Sequence, residues 1–138
     1  MPAKDFFHQA VRHALEREGW TITHDPLMLR YDLGQLYVDL GAEKILAAER
    51  EGQKIAVEIK SFLQNSTISE FYTALGQFIT YRSLLRKQYP EYTLYLAISL
   101  DTYTSFFTLE LVQEIITTQQ LKLIIYEPQK ESIKRWIP

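Results

Sequence analysis

Apolar and polar positions follow helical spacing, strand alternation or unbroken apolar runs along the chain, and each change of pattern marks an element. From residue 3 to 18, Phe7, Ala10, Val11, Ala14 and Leu15 return at helical spacing, which predicts an amphipathic helix with Gly19 as its C-terminal cap. Trp20 to His24 alternates apolar and polar, the mark of a half-buried strand, and Asp25-Pro26 turns the chain. Leu27 to Tyr31 predicts a short strand before a turn at Gly34. Gln35 to Ala48 reads as a long, bulged strand, Glu49 to Gly52 as a polar loop, and Gln53 to Ser61 as the returning strand.

Thr67 to Tyr89 predicts a long helix, with Thr67 and Glu70 at capping-box spacing, Pro90 as the stop, and Ile68, Phe71, Tyr72, Leu75, Phe78 and Ile79 as its buried stripe. Tyr92 to Ser99 is an apolar and β-branched run suited to a strand covered on both faces. A helix over about 104 to 119 buries Phe107, Leu111, Val112, Ile115 and Ile116. Leu121 to Tyr126 gives a last strand, and Ile133, Trp136 and Ile137 close a short C-terminal helix. This order predicts one α/β domain, layered in the α+β manner, spanning 1–138, in which helices flank a mixed sheet containing an antiparallel meander.

Composition narrows the function. The chain has 138 residues, a formal charge of −2 and no cysteine, so disulfides and thiolate metal sites are excluded. No apolar run approaches the length of a membrane helix, and the expected location is the cytoplasm. The slightly acidic balance argues against a tight DNA binder acting alone, because such affinity comes largely from neutralising phosphates. The one local basic cluster is Arg82, Arg86 and Lys87 on the long helix. Nine Tyr and seven Phe leave room for an aromatic-rich interface and make a homo-oligomer an expectation.

The hairpin carries the candidate chemistry. With Ile55, Val57 and Ile59 facing the core, Glu58 and Lys60 share the other face of their strand. If the four-residue loop joins the strands in plain antiparallel register, Glu58 opposes Glu43, Lys60 opposes Gly41 and Phe62 opposes Asp39. Three acids, Asp39, Glu43 and Glu58, and one lysine then gather over a glycine. Carboxylate oxygens of this kind suit Mg²⁺ or Mn²⁺, which accept phosphate oxygens as further ligands. A polar hairpin face bearing Glu and Lys is also an ordinary solvated surface with weak ion pairs. On the following helix, Gln77 and Tyr81 stand four apart on one face, and Gly76 between good helix formers suggests a close backbone approach.

Together, Asp39, Glu58-Ile59-Lys60 and Gln77 with Tyr81 resemble the PD-(D/E)xK nuclease superfamily, with Val38 in place of the proline of its name. The resemblance implies a restriction-endonuclease-like fold, Asp39, Glu58 and the Ile59 carbonyl as metal ligands, Lys60 and Gln77 as catalytic groups, and Glu43 and Tyr81 in support. The family's first-helix position falls on His8, with Glu16 as the other candidate. Longer blocks, Gly19 to Pro26, Asp39 to Lys44, Ile55 to Phe62 and Ala74 to Phe78, are similar to the XisH family, cyanobacterial fdxN-element excision controlling factors. That likeness implies a part in excising a DNA element by site-specific recombination, with DNA and a XisI-type companion protein as partners. Two functions follow: a Mg- or Mn-dependent DNA endonuclease, or a non-catalytic DNA and protein interaction module that regulates a recombinase.

Overall fold

A computed structural model describes residues 3–31, 34–35, 45–63 and 67–138. The first helix, α1, runs Ala3–Arg17. Its end is fixed by the backbone: Gly19 N–H donates to the Glu16 carbonyl and Trp20 N–H to the Leu15 carbonyl, at 3.0 and 3.1 Å. This pair of bonds requires a left-handed residue after the helix, and Gly19 supplies it at φ 88°.

Strand β1 (Thr21–His24) follows, then a small ladder of β2 (Arg30–Tyr31) with β3 (Gly34–Gln35), then β4 (Ile45–Arg50) and β5 (Gln53–Ile59). The long helix α2 (Thr67–Gln88) carries the chain to β6 (Tyr92–Ser99). A helical turn at Leu100–Thr102 runs into a π-helical turn at Tyr103–Phe107, after which come α3 (Glu110–Thr118), β7 (Leu123–Glu127) and β8 (Ser132–Ile137). The main sheet has the order β1-β4-β5-β6-β7-β8. Its outer pairs are antiparallel, whereas β5, β6 and β7 run parallel. Parallel neighbours need a crossover, and α2 provides the one between β5 and β6.

Both faces of the sheet are covered. On one, Leu46, Ala48, Val57, Ile59, Ala97 and Ile124 pack against Ala10, Val11 and Leu15 of α1. On the other, Ala47, Ala56, Leu94, Leu96, Leu123 and Ile125 pack against α2 and α3. This double coverage explains why β6 and β7 are apolar throughout rather than alternating. An aromatic tie closes the α1 side: Trp20 stacks on Trp136 at 5.7 Å, Tyr95 meets Trp136 edge-on at 5.1 Å, and the Arg50 guanidinium sits 5.0 Å above Trp20.

Several expectations change here. The C-terminal segment is strand β8, paired antiparallel with β7, and not a helix. Ile133, Trp136 and Ile137 match helical spacing, but an adjacent sheet edge offers backbone partners that a one-turn helix lacks. The expected long strand from Gln35 is divided: Gln35 belongs to the small ladder and Ile45–Arg50 to the main sheet, while 36–44 lie outside the described residues. On α2 the buried stripe is Phe71, Ala74, Phe78, Tyr81 and Leu85. Ile68, Tyr72 and Ile79 point outward instead, because the sheet covers a narrower arc than the helix's apolar residues span. The helix expected over 104 to 119 is two pieces, a helical and π-helical stretch over Leu100–Phe107 directly out of β6, with Ser99 Oγ accepting from Thr102 N–H, and α3, separated at the extended Leu109. The first piece buries Phe107 and the second Val112 and Ile116, as expected, but Leu111 is 57% exposed.

Candidate functional site

The β4–β5 hairpin turns on two residues rather than four. Glu51 and Gly52 both take positive φ, 51° and 81°, the geometry whose twist matches that of the flanking strands. Arg50 therefore opposes Gln53, and Glu58 opposes Ile45 rather than Glu43. A shift of two residues leaves each side chain of β5 on its original face. What changes is that face's surroundings. Glu58 does not look into solvent: it is 0% exposed, on the same side of β5 as Ala56, beneath α2. Lys60 follows one residue past the end of β5, half-buried, its N–H donating to the Ala97 carbonyl at 3.2 Å.

Above Glu58, α2 contributes Gln77 and Tyr81, one turn apart. Tyr81 is 1% exposed. Its phenol is pushed up to about 12, first by burial and then by the negative charge of Glu58, which places the two groups within electrostatic reach. Among the described residues, neither the Tyr81 hydroxyl nor the buried Gln77 Oε1 has a hydrogen-bond partner. Ile59, between Glu58 and Lys60, buries its side chain on the opposite, α1 side. So the fold brings Glu58 and Tyr81 within electrostatic reach, sets Gln77 one turn from Tyr81 on α2, and seats Lys60 one residue past the end of β5. Asp39 and Glu43 lie outside the described residues, as do Val38 and Gly41.

The first-helix candidates lie on α1. The His8 ring Nε2 lies 2.8 Å from the Asp25 carboxylate, which also accepts from Arg12 at 2.6 Å. Helix α1 covers the sheet face opposite α2, and Glu16 is exposed. One feature carries no sequence signal. Phe62, two residues after Lys60, holds a left-handed backbone at φ 53°, and its ring packs edge-on against Phe107 at 5.5 Å. Such a conformation in a bulky residue costs of order 1 kcal/mol and persists only where packing enforces it. It turns the chain sharply just beyond the lysine.

The donor set bears on a cation. Among the described residues no three His, Asp or Glu side chains cluster. The buried polar atoms of Glu58 and Gln77 are oxygens, of a carboxylate and an amide. Oxygen donors of this kind fit a hard divalent ion such as Mg²⁺ or Mn²⁺.

An antiparallel β1-β4-β5 meander continued by parallel strands, with helices on both faces, is the restriction-endonuclease-like α+β architecture. Its central hairpin ends in a buried acid and a lysine. The family model described as XisH protein matches residues 1–134, and the chain belongs to the XisH family. Two solved structures are similar over nearly its whole length. One, an XisH family protein from Nostoc punctiforme, is 52% identical with a TM-score of 0.89, and the match covers 97% of this chain and all of that one. The other, an fdxN element excision controlling factor protein from Anabaena variabilis, is 50% identical with a TM-score of 0.89, covering 97% of this chain and 99% of that one. No curated protein matches the chain. Among the described residues no helix is long and apolar enough to cross a membrane.

Proposed function

We propose that this protein is an excision controlling factor for a DNA element and carries a divalent-metal nuclease site of the PD-(D/E)xK kind. Asp39, Glu58 and the Ile59 carbonyl would hold the ion, with Gln77 in support from α2. The observation that carries this reading is the complete burial of Glu58 against Tyr81, next to Lys60. Glutamate is among the residues least often fully buried, since removing a carboxylate from water costs several kcal/mol that pairing only partly offsets. The role named in the Anabaena variabilis relative supplies the biological setting.

When bound, Mg²⁺ or Mn²⁺ would supply Lewis acidity to a phosphodiester oxygen. The chain's own groups do the rest. Lys60 presents an ammonium that orients the attacking water and offsets negative charge building on the phosphorus oxygens. Gln77 would offer its buried side-chain oxygen from α2, and Tyr81, one turn on, would wall the site against solvent. The test has two arms: calorimetric titration with Mn²⁺ of wild type and Glu58→Gln, and plasmid nicking by wild type and Lys60→Ala. Binding lost in Glu58→Gln together with nicking lost in Lys60→Ala supports the nuclease. Binding unchanged in Glu58→Gln, or equal nicking by both proteins, removes it.

A specific observation favours a second reading, the non-catalytic interaction module. Tyr72, Leu109 and Leu111 are 60, 50 and 57% exposed, apolar surface suited to a XisI-type companion or to self-association. It predicts capture of the companion by wild type and by Lys60→Ala alike, with no hydrolysis by either.

A further inference from the structure

Away from Glu58, three cations from two parts of the chain line one cavity. Arg82 and Arg86 stand one turn apart on α2, and Lys122 leads into β7. All three line one cavity of about 540 Å³ at the N-terminal end of β6, whose apolar wall includes Phe78, Tyr92 and Leu94. That volume lies in the range of small-ligand pockets. Sequence alone pairs Arg82 with Arg86 and Lys87; the fold adds Lys122 instead.

The cavity is prepared for an anion. Arg82 is held in place: its Nη1 donates to the Gln119 and Gln120 carbonyls at 2.7 and 3.2 Å, and its guanidinium carbon lies 5.3 Å from the Phe78 ring centroid. Its remaining N–H groups make no hydrogen bond to a described residue. Among the described residues, no carboxylate lies within ion-pair distance of Arg82, Arg86 or Lys122; the ion pairs lie elsewhere. Burial, and then the charge of Arg86, lower the pKa of Arg82. Capping the carbonyls after α3 explains Arg82 alone. It does not explain why Arg86 and Lys122 line the same cavity, whose lining also includes Pro138 with its terminal carboxylate, beyond ion-pair distance of all three.

We propose that this cavity binds a phosphate ester, with the phosphate between Arg82, Arg86 and Lys122 and the organic part resting on Phe78, Tyr92 and Leu94. Guanidinium forks match phosphate oxygens in pairs, and a flat base packs on aromatic and aliphatic walls. A free mononucleotide and the 5′-phosphate of a DNA strand share this chemistry. The site is independent of Glu58.

Calorimetric titration of the full chain tests it, with deoxyadenosine monophosphate, deoxyadenosine and inorganic phosphate as probes. The comparison is wild type, the double variant Arg86→Ala with Lys122→Ala, and Glu58→Gln. Wild type is expected to bind the monophosphate and not the nucleoside. The double variant, its melting temperature unchanged, is expected to bind at least tenfold more weakly, and Glu58→Gln is expected to match wild type. No binding of the monophosphate, equal binding by the double variant, or equal binding of deoxyadenosine overturns the proposal. Inorganic phosphate binding as tightly as the monophosphate overturns the role given to the apolar wall. Preference for a 5′-phosphorylated oligonucleotide over its unphosphorylated form assigns the ester to a strand end; equal binding of the two assigns it to the free nucleotide.

Discussion

Replacing Tyr81 by phenylalanine deletes one oxygen atom beside Glu58, and the effect on stability depends on pH. Near neutrality the phenol is protonated in both folded and unfolded chains. Its hydroxyl has no hydrogen-bond partner among the described residues, so Tyr81→Phe should cost less than about 1 kcal/mol and can even stabilise. Above pH 10 the balance changes. The unfolded chain releases the phenolic proton near its ordinary pKa of 10, whereas the folded chain keeps it until about 12. In that window the native state binds more protons, so stability falls as pH rises, and it levels off above the folded pKa. A gap of about two pH units at 1.36 kcal/mol each sets a ceiling of about 2.7 kcal/mol. The assay is urea denaturation of wild type and Tyr81→Phe at several pH values from 8 to 11.5. The other eight tyrosines and the lysines titrate in both proteins and cancel in the difference. Wild type should lose up to 2 kcal/mol more than the variant over that range. Burial is the larger cause and the Glu58 charge the smaller, so most of the difference should survive in a Glu58→Gln background, with a measurable part removed. Parallel stability curves for wild type and Tyr81→Phe would refute the placement of this phenol in a dry site beside a negative charge.

Other substitutions test the scaffold. A methyl group built on Gly76 meets nothing within 4 Å, so Gly76→Ala should raise the urea-denaturation stability by about 0.5–1 kcal/mol through helix propensity; a loss would mean that another surface packs there. Gly19→Ala, at φ +88°, should lower stability by about 1 kcal/mol despite adequate space, read from the same denaturation midpoint. Phe107→Ala removes a fully buried ring that Phe62, Phe71 and Phe106 all touch, and should cost about 3–5 kcal/mol by thermal unfolding.

The parts of this fold legible from sequence are those where period and punctuation agree. Helix α1 with its glycine cap, β5, α2 and β6 all fall at or within two residues of their expected bounds. Helical spacing puts Gln77 and Tyr81 on one face and strand alternation puts Glu58 and Lys60 on another; their reading as one site rests on the family resemblance. What escaped is set by contacts distant in sequence. The face bearing Glu58 reads as solvated because Ile55, Val57 and Ile59 alternate with smaller or polar residues. Only the packing of α2 over Ala56 and Glu58 makes it a second core. The turn escaped because glutamate at Glu51 is not the asparagine or aspartate usual before glycine in such a turn, so the polar stretch reads as a longer loop. Strand β8 escaped because three apolar residues suit a helix turn as well as a strand until β7 offers its edge. Gly76 was expected to mark close approach, and no described atom lies near enough to require it.

The most direct test of the metal site is a crystal of this chain soaked in Mn²⁺ with an anomalous difference map. The account predicts one peak at about 2.1 Å from a Glu58 carboxylate oxygen, shared with Asp39 and with the Lys60 ammonium in the same pocket. No peak there at millimolar Mn²⁺, or carboxylates of Asp39 and Glu58 on opposite sides of the sheet, would contradict it.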